Sequence, residues 1–364
     1  MPKHAVAIML LLLPVVAFAQ LPRGIPQTLW RKRIPATNPM TAEKIALGEK
    51  LYFDKRLSAS GSVSCAVCHD PANAFTDLDA LSTGASGNQG TRNAPTILNA
   101  VFSELLFWDG RAGSLEEQAK QPLTNPAEMG MGSYDLVVAR VSAIPEYQKT
   151  FRRVFGRDGV TIETIAKAIA AYERTQLSGN SKFDRFISGD QSAITEAQKR
   201  GWKLFSGKAK CIDCHSFSAA SPFFTDFKFH NTGIGVAISN FDVLAGQVSR
   251  DVSAGALAHK SDFSELGRFL VTRQTADIAA FKTPTLRDVE LTRPYMHNGA
   301  MKTLLDVVRF YKQGGEKNPY LDKKMQPLDL TEEEMSDLVE FLRSLTSDDV
   351  LKKVQSSQPQ RRSN

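Results

Sequence analysis

Apolar residues recur at helical spacing in several separate stretches of the chain. Leu304, Val307, Val308 and Tyr311 stand at i, i+3, i+4 and i+7, one apolar stripe. Thr303, with Asp306 three residues on, caps its start, and Gly314-Gly315 stops it. The same period predicts helices over Ile162 to Leu177 and Glu332 to Leu345. Each carries an aromatic, an arginine two residues on, then a small hydroxyl residue: Tyr172-Glu-Arg174-Thr175 and Phe341-Leu-Arg343-Ser344. Shorter helices are expected at Gly48-Glu-Lys-Leu51-Tyr52 and Gly201-Trp-Lys-Leu204-Phe205, again an alike pair. β-Branched alternation is scarce, and Gly/Pro-rich loops fill the rest. A mainly α fold in two alike halves follows, residues 40–180 and 181–346. Residues 20–39, with Pro22, Pro26, Pro35 and Pro39, read as an extended lead-in, and 347–364 as a disordered tail.

The first residues depart from this pattern. Lys3 precedes an apolar run from Ala5 to Val16, followed by Ala17-Phe18-Ala19. This is the layout of a secretory signal peptide, residues 1–19, cleaved near Ala19. The run is short for a membrane span, and no later stretch is long enough, so an exported, periplasmic protein without membrane insertion is expected. The chain has 364 residues, enough for about two domains. A formal charge of +6, with acidic residues interspersed, gives no nucleic-acid footprint.

An exported chain usually spends cysteines on disulfides. Here all four sit in two tight pairs, each followed by histidine: Cys65-Ala-Val-Cys68-His69 and Cys211-Ile-Asp-Cys214-His215. Both read as c-type haem attachment sites. Two thiols about one helical turn apart can add to the two vinyl groups of a haem, and the adjacent histidine then lies under the iron. A redox dithiol needs neither the histidine nor a second copy. A zinc site needs four ligands, and the remaining histidines are few and scattered.

With two haems and this layout, the chain resembles the bacterial di-haem cytochrome c peroxidase superfamily over residues 40–346. The resemblance also rests on Arg92-Asn-Ala-Pro-Thr96 with Leu98-Asn99, on Phe107-Trp-Asp-Gly-Arg-Ala112, on Leu115-Glu-Glu-Gln118 and on Asn125-Pro-Ala-Glu128-Met129. Phe281-Lys-Thr-Pro-Thr-Leu-Arg287 and Pro294-Tyr-Met-His-Asn-Gly299 complete it. It implies two cytochrome c-like domains, with the haem on His69 reacting with peroxide. Gln118 and Glu128 match the pair in that pocket, and Trp108 the tryptophan between the haems. Asn93, Thr292 and Pro294 match positions around a calcium ion. Peroxide cleavage needs a base that takes one proton and returns it to the leaving oxygen, a task open to Glu128. Taken alone, Glu128 reads as a solvated loop carboxylate and the Trp108 block as a packed turn.

Two departures from the family pattern bear on function. Many members carry a loop histidine that blocks the peroxide-reacting iron, yet Leu81 to Thr91 contains none, and no histidine occurs between Asp70 and Cys214. An open iron on His69 is the expectation, unless His230, His259 or His297 reaches it. Second, the family's usual methionine ligand to the other haem lies fourteen residues after the histidine of the Pro-Tyr-x-His block. That count from His297 reaches Tyr311, and the MauG-like branch has tyrosine at this place. A thioether favours ferrous iron, whereas a hard phenolate favours oxidised iron. Tyr311 is therefore an expected iron ligand beside His69 and His215, with Met296, Met301, Met325 and Met335 as rivals and a plain core aromatic as the alternative. His297 reads equally as a haem-propionate contact or a satisfied core histidine.

The expected function is that of a MauG-like di-haem enzyme. It uses hydrogen peroxide to reach a high-valent di-haem state and oxidises a substrate by long-range electron transfer, with a Trp or Tyr side chain of a partner protein as the expected target. The alternatives are a peroxidase drawing electrons from a small cytochrome c or cupredoxin, and a non-catalytic di-haem electron carrier.

Overall fold

The computed structural model describes residues 21–235, 240–249 and 251–357. The signal peptide lies outside the described residues, as do the last residues of the tail.

Threonine hydroxyls open the helices that carry the fold. Thr41, Thr161, Thr195 and Thr331 accept from the third backbone N–H of Ala42–Phe53, Ile162–Glu173, Glu196–Ser206 and Glu332–Arg343. The last three close full capping boxes, as does Thr303 with Asp306 at the start of Leu304–Lys312. That helix ends where expected, with Gly314 and Gly315 at φ +82° and +73°. The helices from Ile162 and Glu332 end earlier than periodicity suggests, at Glu173 and Arg343. There Thr175 and Ser344 hydroxyls turn back onto the Tyr172 and Phe341 carbonyls.

The helices cross in two equivalent pairs. Ala42–Phe53 lies on Ile162–Glu173 at Gly48, where an added Cβ would stand 1.9 Å from the Ala168 oxygen. Glu196–Ser206 lies on Glu332–Arg343 at Gly201, where it would stand 2.0 Å from the Asp337 oxygen. The shared glycine of the two sequence pairs is thus the point of closest helix approach. Leu47, Leu51, Phe151, Ile165 and Ile169 pack around the first crossing. Phe183, Phe205, Met335, Leu338 and Phe341 pack around the second. Among the described residues the only strands are Phe229–His230 and Phe281–Lys282, paired antiparallel.

Two terminal expectations need correction. The lead-in is not wholly extended: Gln27–Lys32 is helical and buries Trp30 against Phe102, Leu106 and Phe223. The tail is ordered to Ser357. Asp348–Ser357 is a helix whose Val350 and Val354, one turn apart, pack on Tyr52, Phe75 and Tyr172 of the first half. Two valines make too short a stripe to stand out in sequence. Their partners lie about 180 to 300 residues earlier.

Candidate active site

Both Cys-x-x-Cys-His segments form a single helical turn, Cys65–Cys68 and Cys211–Asp213. The His69 and His215 amides close it onto the Cys65 and Cys211 carbonyls at 2.9 and 2.8 Å. All four cysteines are free, and thiols and imidazoles line one continuous cavity of about 480 Å³ between the halves. Each imidazole is oriented through Nδ1. His69 Nδ1 lies 3.4 Å from the Phe75 carbonyl and His215 Nδ1 lies 2.9 Å from that of Phe224. A backbone carbonyl on Nδ1 leaves Nε2 as the lone-pair nitrogen available to a metal.

These carbonyls are aimed by a backbone device that occurs twice. Phe75 and Phe224 take left-handed φ of 62° and 54°, as do Leu78 and Phe227 three residues on, at 64° and 56°. Bulky residues rarely adopt this region unless tertiary contacts hold them there. The hold comes from the two Pro-Thr motifs: Thr96 donates to the Ala74 carbonyl and Thr285 to that of Phe223, each at 2.7 Å. The sequence signal was present but unread, in Ala74-Phe-Thr-Asp-Leu78 and Phe223-Phe-Thr-Asp-Phe227.

On the first half, Gln118 projects from Leu115–Thr124 into the cavity. Glu128 follows in the Asn125-Pro-Ala-Glu turn, where Asn125 Nδ2 donates to its carboxylate at 2.6 Å. Burial pushes the Glu128 carboxyl above the ordinary range, opposed by Arg111 and Asn125. Arg111 and Arg92 both pair with the fully buried Asp109, at 2.9 and 2.7 Å. They hold that carboxyl below the usual range although burial alone would raise it. The histidine-free loop after Leu81 closes as a small hairpin against this turn, Ala85 donating to the Glu128 carbonyl.

On the second half, Tyr311 lines the cavity from Leu304–Lys312, and burial pushes its phenol upward, with the Cys214 and Cys211 thiols adding to the shift. Of the methionines, Met296 and Met325 also line the cavity, while Met335 is fully enclosed in the helix core. The two pocket helices can be set in register from their caps. Tyr311 is the eighth residue after Thr303, and the eighth after Ser114 is Pro122, which also lines the cavity. Where one half offers a phenol, the other offers a ring with no donor atom.

Trp108 and His297 occupy matching positions where the halves meet. Each follows a left-handed residue, Phe107 at φ 66° and Met296 at 73°, inside loops closed by the bridges Leu106–Ala112 and Tyr295–Met301. Their rings meet edge-on at 6.4 Å. Trp108 Nε1 donates to the Asn93 carbonyl at 2.9 Å, and the Asn93 amide donates to that of His297 at 2.7 Å. His297 is buried, stacked 3.6 Å from Phe281, with Nε2 2.9 Å from Glu265. Asn93 also donates through Nδ2 to the Asp79 carbonyl; Thr292 and Pro294 line the same cavity.

Four further side chains line the cavity, of which the sequence raised only His259, as one that could reach the open iron. Arg111 lies 3.5 Å over the Phe107 ring. Lys282 is pushed down to about 8 by burial, with the Ser103 hydroxyl 3.2 Å from its ammonium. Glu173 is raised to about 8 by burial, and its Oε2 has no hydrogen-bond partner. His259 reaches Glu128 from the second half, 4.0 Å from its carboxylate. The residues fit two covalently held haems. Paired thiols and an oriented imidazole face the cavity from each side, and buried Lys282 supplies a cation for acidic edges of such groups.

Comparison with known proteins agrees with this geometry. Residues 42–192 match the family model described as di-haem cytochrome c peroxidase. The methylamine utilization protein MauG of Methylorubrum extorquens is 41% identical, the match covering 86% of this chain and 81% of that one. The cytochrome-c peroxidase IdrP1 of Denitromonas iodatirespirans is 39% identical, over 86% and 84%. A crystal structure of a MauG-like protein associated with microbial copper homeostasis superposes with a TM-score of 0.72 at 31% identity, covering 94% and 97%. The chain is therefore a member of the di-haem cytochrome c peroxidase family, a haem-dependent oxidoreductase that uses peroxide.

Proposed function

We propose that the protein is a periplasmic MauG-like enzyme that oxidises an amino-acid side chain of a partner protein, Trp or Tyr, with hydrogen peroxide as oxidant. The observation that carries this reading is the asymmetry of the two pockets. In equivalent helical register one side presents Pro122 beside an acid–base carboxyl, and the other presents Tyr311. When bound, the haems supply peroxide reduction and carry the resulting oxidising equivalents. The protein's own tasks divide accordingly. His69 and His215 hold iron through Nε2. Pro122, with no donor atom, would leave the His69 iron open to a small oxidant, and the Gln118 amide would orient it without adding charge. Glu128, its carboxyl raised by burial, takes a proton from the incoming oxidant and returns it to the departing oxygen. Trp108, packed between the halves, couples them electronically. Tyr311 serves the second iron as a hard oxygen ligand, which favours its oxidised forms. Lys282 would supply a cation to a haem carboxylate. By the family resemblance, oxygen donors at Asn93, Thr292 and Pro294 would hold a calcium ion.

Spectroscopy of the ferric holoenzyme tests the assignment. One high-spin and one low-spin EPR signal are expected, without a methionine-type charge-transfer band. Two low-spin signals would sink the open site, and that band would sink Tyr311 as ligand. Tyr311→Phe should leave cyanide binding at the first haem within about twofold. It should abolish the spectral change that peroxide produces at the second haem. Persistence of that change refutes the role given to Tyr311.

A second reading has support of its own, because cytochrome-c peroxidases such as IdrP1 resemble the chain nearly as closely as MauG does. In that case peroxide is reduced with electrons from a small cytochrome c or cupredoxin. Rapid steady-state oxidation of such a donor would favour it over protein oxidation.

A further inference from the structure

The turn Asn125-Pro126-Ala127-Glu128 engages both ends of the Asn125 side-chain amide. Its Oδ1 accepts from the Ala127 amide at 3.0 Å. One Nδ2 hydrogen goes to Glu128 Oε1 at 2.6 Å. The amide nitrogen also lies against the face of the His259 ring, 2.9 Å from Nε2 and 3.2 Å from Nδ1. The donor here is an amide, and its N–H meets the π face of the ring. Asn125 is itself buried. The histidine comes from the other half of the chain, at the end of Ala254–Ala258. That helix is docked by Thr91, which donates to the Ala258 carbonyl at 2.6 Å, while Arg92 donates to the Ser264 carbonyl at 2.7 Å.

We propose that His259 is a positioning residue of the peroxide site: packed face-on against the Asn125 amide, its ring holds that amide against Glu128 and fixes the carboxyl for proton transfer. This rests on the role given to Glu128 above. The pocket of the first half is thereby completed by a residue of the second. The groups facing the ring are Glu128 and the Arg111, Arg92 and Asp109 cluster. Burial first, then Arg111 and Arg92, lower the imidazole to about 4 against the opposing Asp109. The ring is therefore neutral, and its face open to the amide N–H, throughout the range in which the enzyme would work. The amide hydrogen bond favours the charged form of Glu128 against burial. Freeing Asn125 removes that support, so Glu128 then takes up its proton at higher pH.

The test uses the full-length holoenzyme and two readouts against pH. One is the equilibrium affinity of the first haem for cyanide, which enters as the neutral acid and gives its proton to a pocket base. The other is the rate of the reaction with peroxide. In His259→Ala the acidic limb of both profiles should move up by about one pH unit. Asn125→Ala should move it equally, with no further shift in the double variant. His259→Phe, which keeps a ring face, should restore the limb toward its original place. A limb that moves in Asn125→Ala but not in His259→Ala overturns the proposal. So does a resting first haem that is low-spin and turns high-spin in His259→Ala, because His259 is then an iron ligand. If Glu128→Gln leaves the limb unmoved, the assignment of Glu128 falls, and the role of His259 with it.

Discussion

Replacing Gly201 by alanine separates local from tertiary control of this fold. Gly201 is inside the helix Glu196–Ser206, so propensity alone predicts that alanine stabilises by about 1 kcal/mol. The crossing predicts the reverse. The new Cβ would lie 2.0 Å from the Asp337 oxygen and 2.7 Å from both the Asp337 carbonyl carbon and the Phe341 Cβ. These are backbone and first side-chain atoms, so no rotamer relieves them. The helices must part by about 1 Å or more, loosening Phe205, Met335, Leu338 and Phe341, which are 0–2% exposed. Overpacking of a rigid site costs about 1–3 kcal/mol, and with backbone on the far side the upper end applies, outweighing the propensity gain. Chemical denaturation of the holoenzyme should show a loss of about 2 kcal/mol. The effect should be concentrated in absorbance of the haem on His215, because the displaced helix leads into Cys211. Gly246→Ala is the internal control. That glycine lies in the exposed helix Phe241–Gln247, where an added Cβ meets nothing within 4 Å. It should stabilise by about 0.5–1 kcal/mol. Equal stabilisation by both substitutions would refute the close-crossing argument.

Two further outcomes follow from buried charge. Arg287 makes two hydrogen bonds to Asp184, at 2.9 and 2.8 Å, with side chains 2% and 0% exposed. Arg287→Met strands that carboxylate and should cost about 3–5 kcal/mol on denaturation. Adding Asp184→Asn should recover part of the loss, and a single variant as stable as the parent contradicts the reading. His230 lies between Asp226 and Asp322 and is raised from 6.5 to about 10, chiefly by the Asp226 hydrogen bond. Its folded value exceeds its unfolded one, so its stabilisation is complete below about pH 6.5 and is lost as pH climbs through about 10. Denaturation midpoints of the holoenzyme should fall across that window, and His230→Gln should flatten the fall. An unchanged slope in the variant would show that other groups set it.

Some of this protein was fully legible as sequence. The Thr303 capping box, the stripe ending at Tyr311 and the glycine stop are local. They depend on contacts within a turn or two of helix, and those spacings are written in the chain. The two Cys-x-x-Cys-His turns are legible for the same reason, since one helical turn places their thiols and imidazole together. The repeat of glycine-bearing and arginine-bearing helices was visible too, although its physical cause, backbone contact at Gly48 and Gly201, is tertiary. What the sequence left undecided depends on residues far apart in the chain. The Phe75 and Phe224 carbonyls face their histidines because distant threonines hold a backbone conformation that no local preference supplies. Val350 and Val354 form a helix face only because Tyr52, Phe75 and Tyr172 wait to cover it. Sequence placed Glu128 in a turn with Asn125, but only the docking of the second half brings His259 to that amide. Local hydrogen bonds and short-range periodicity fix the elements. The partners of each buried polar atom are fixed by which surfaces exclude water together, and that is settled only when the whole chain has folded.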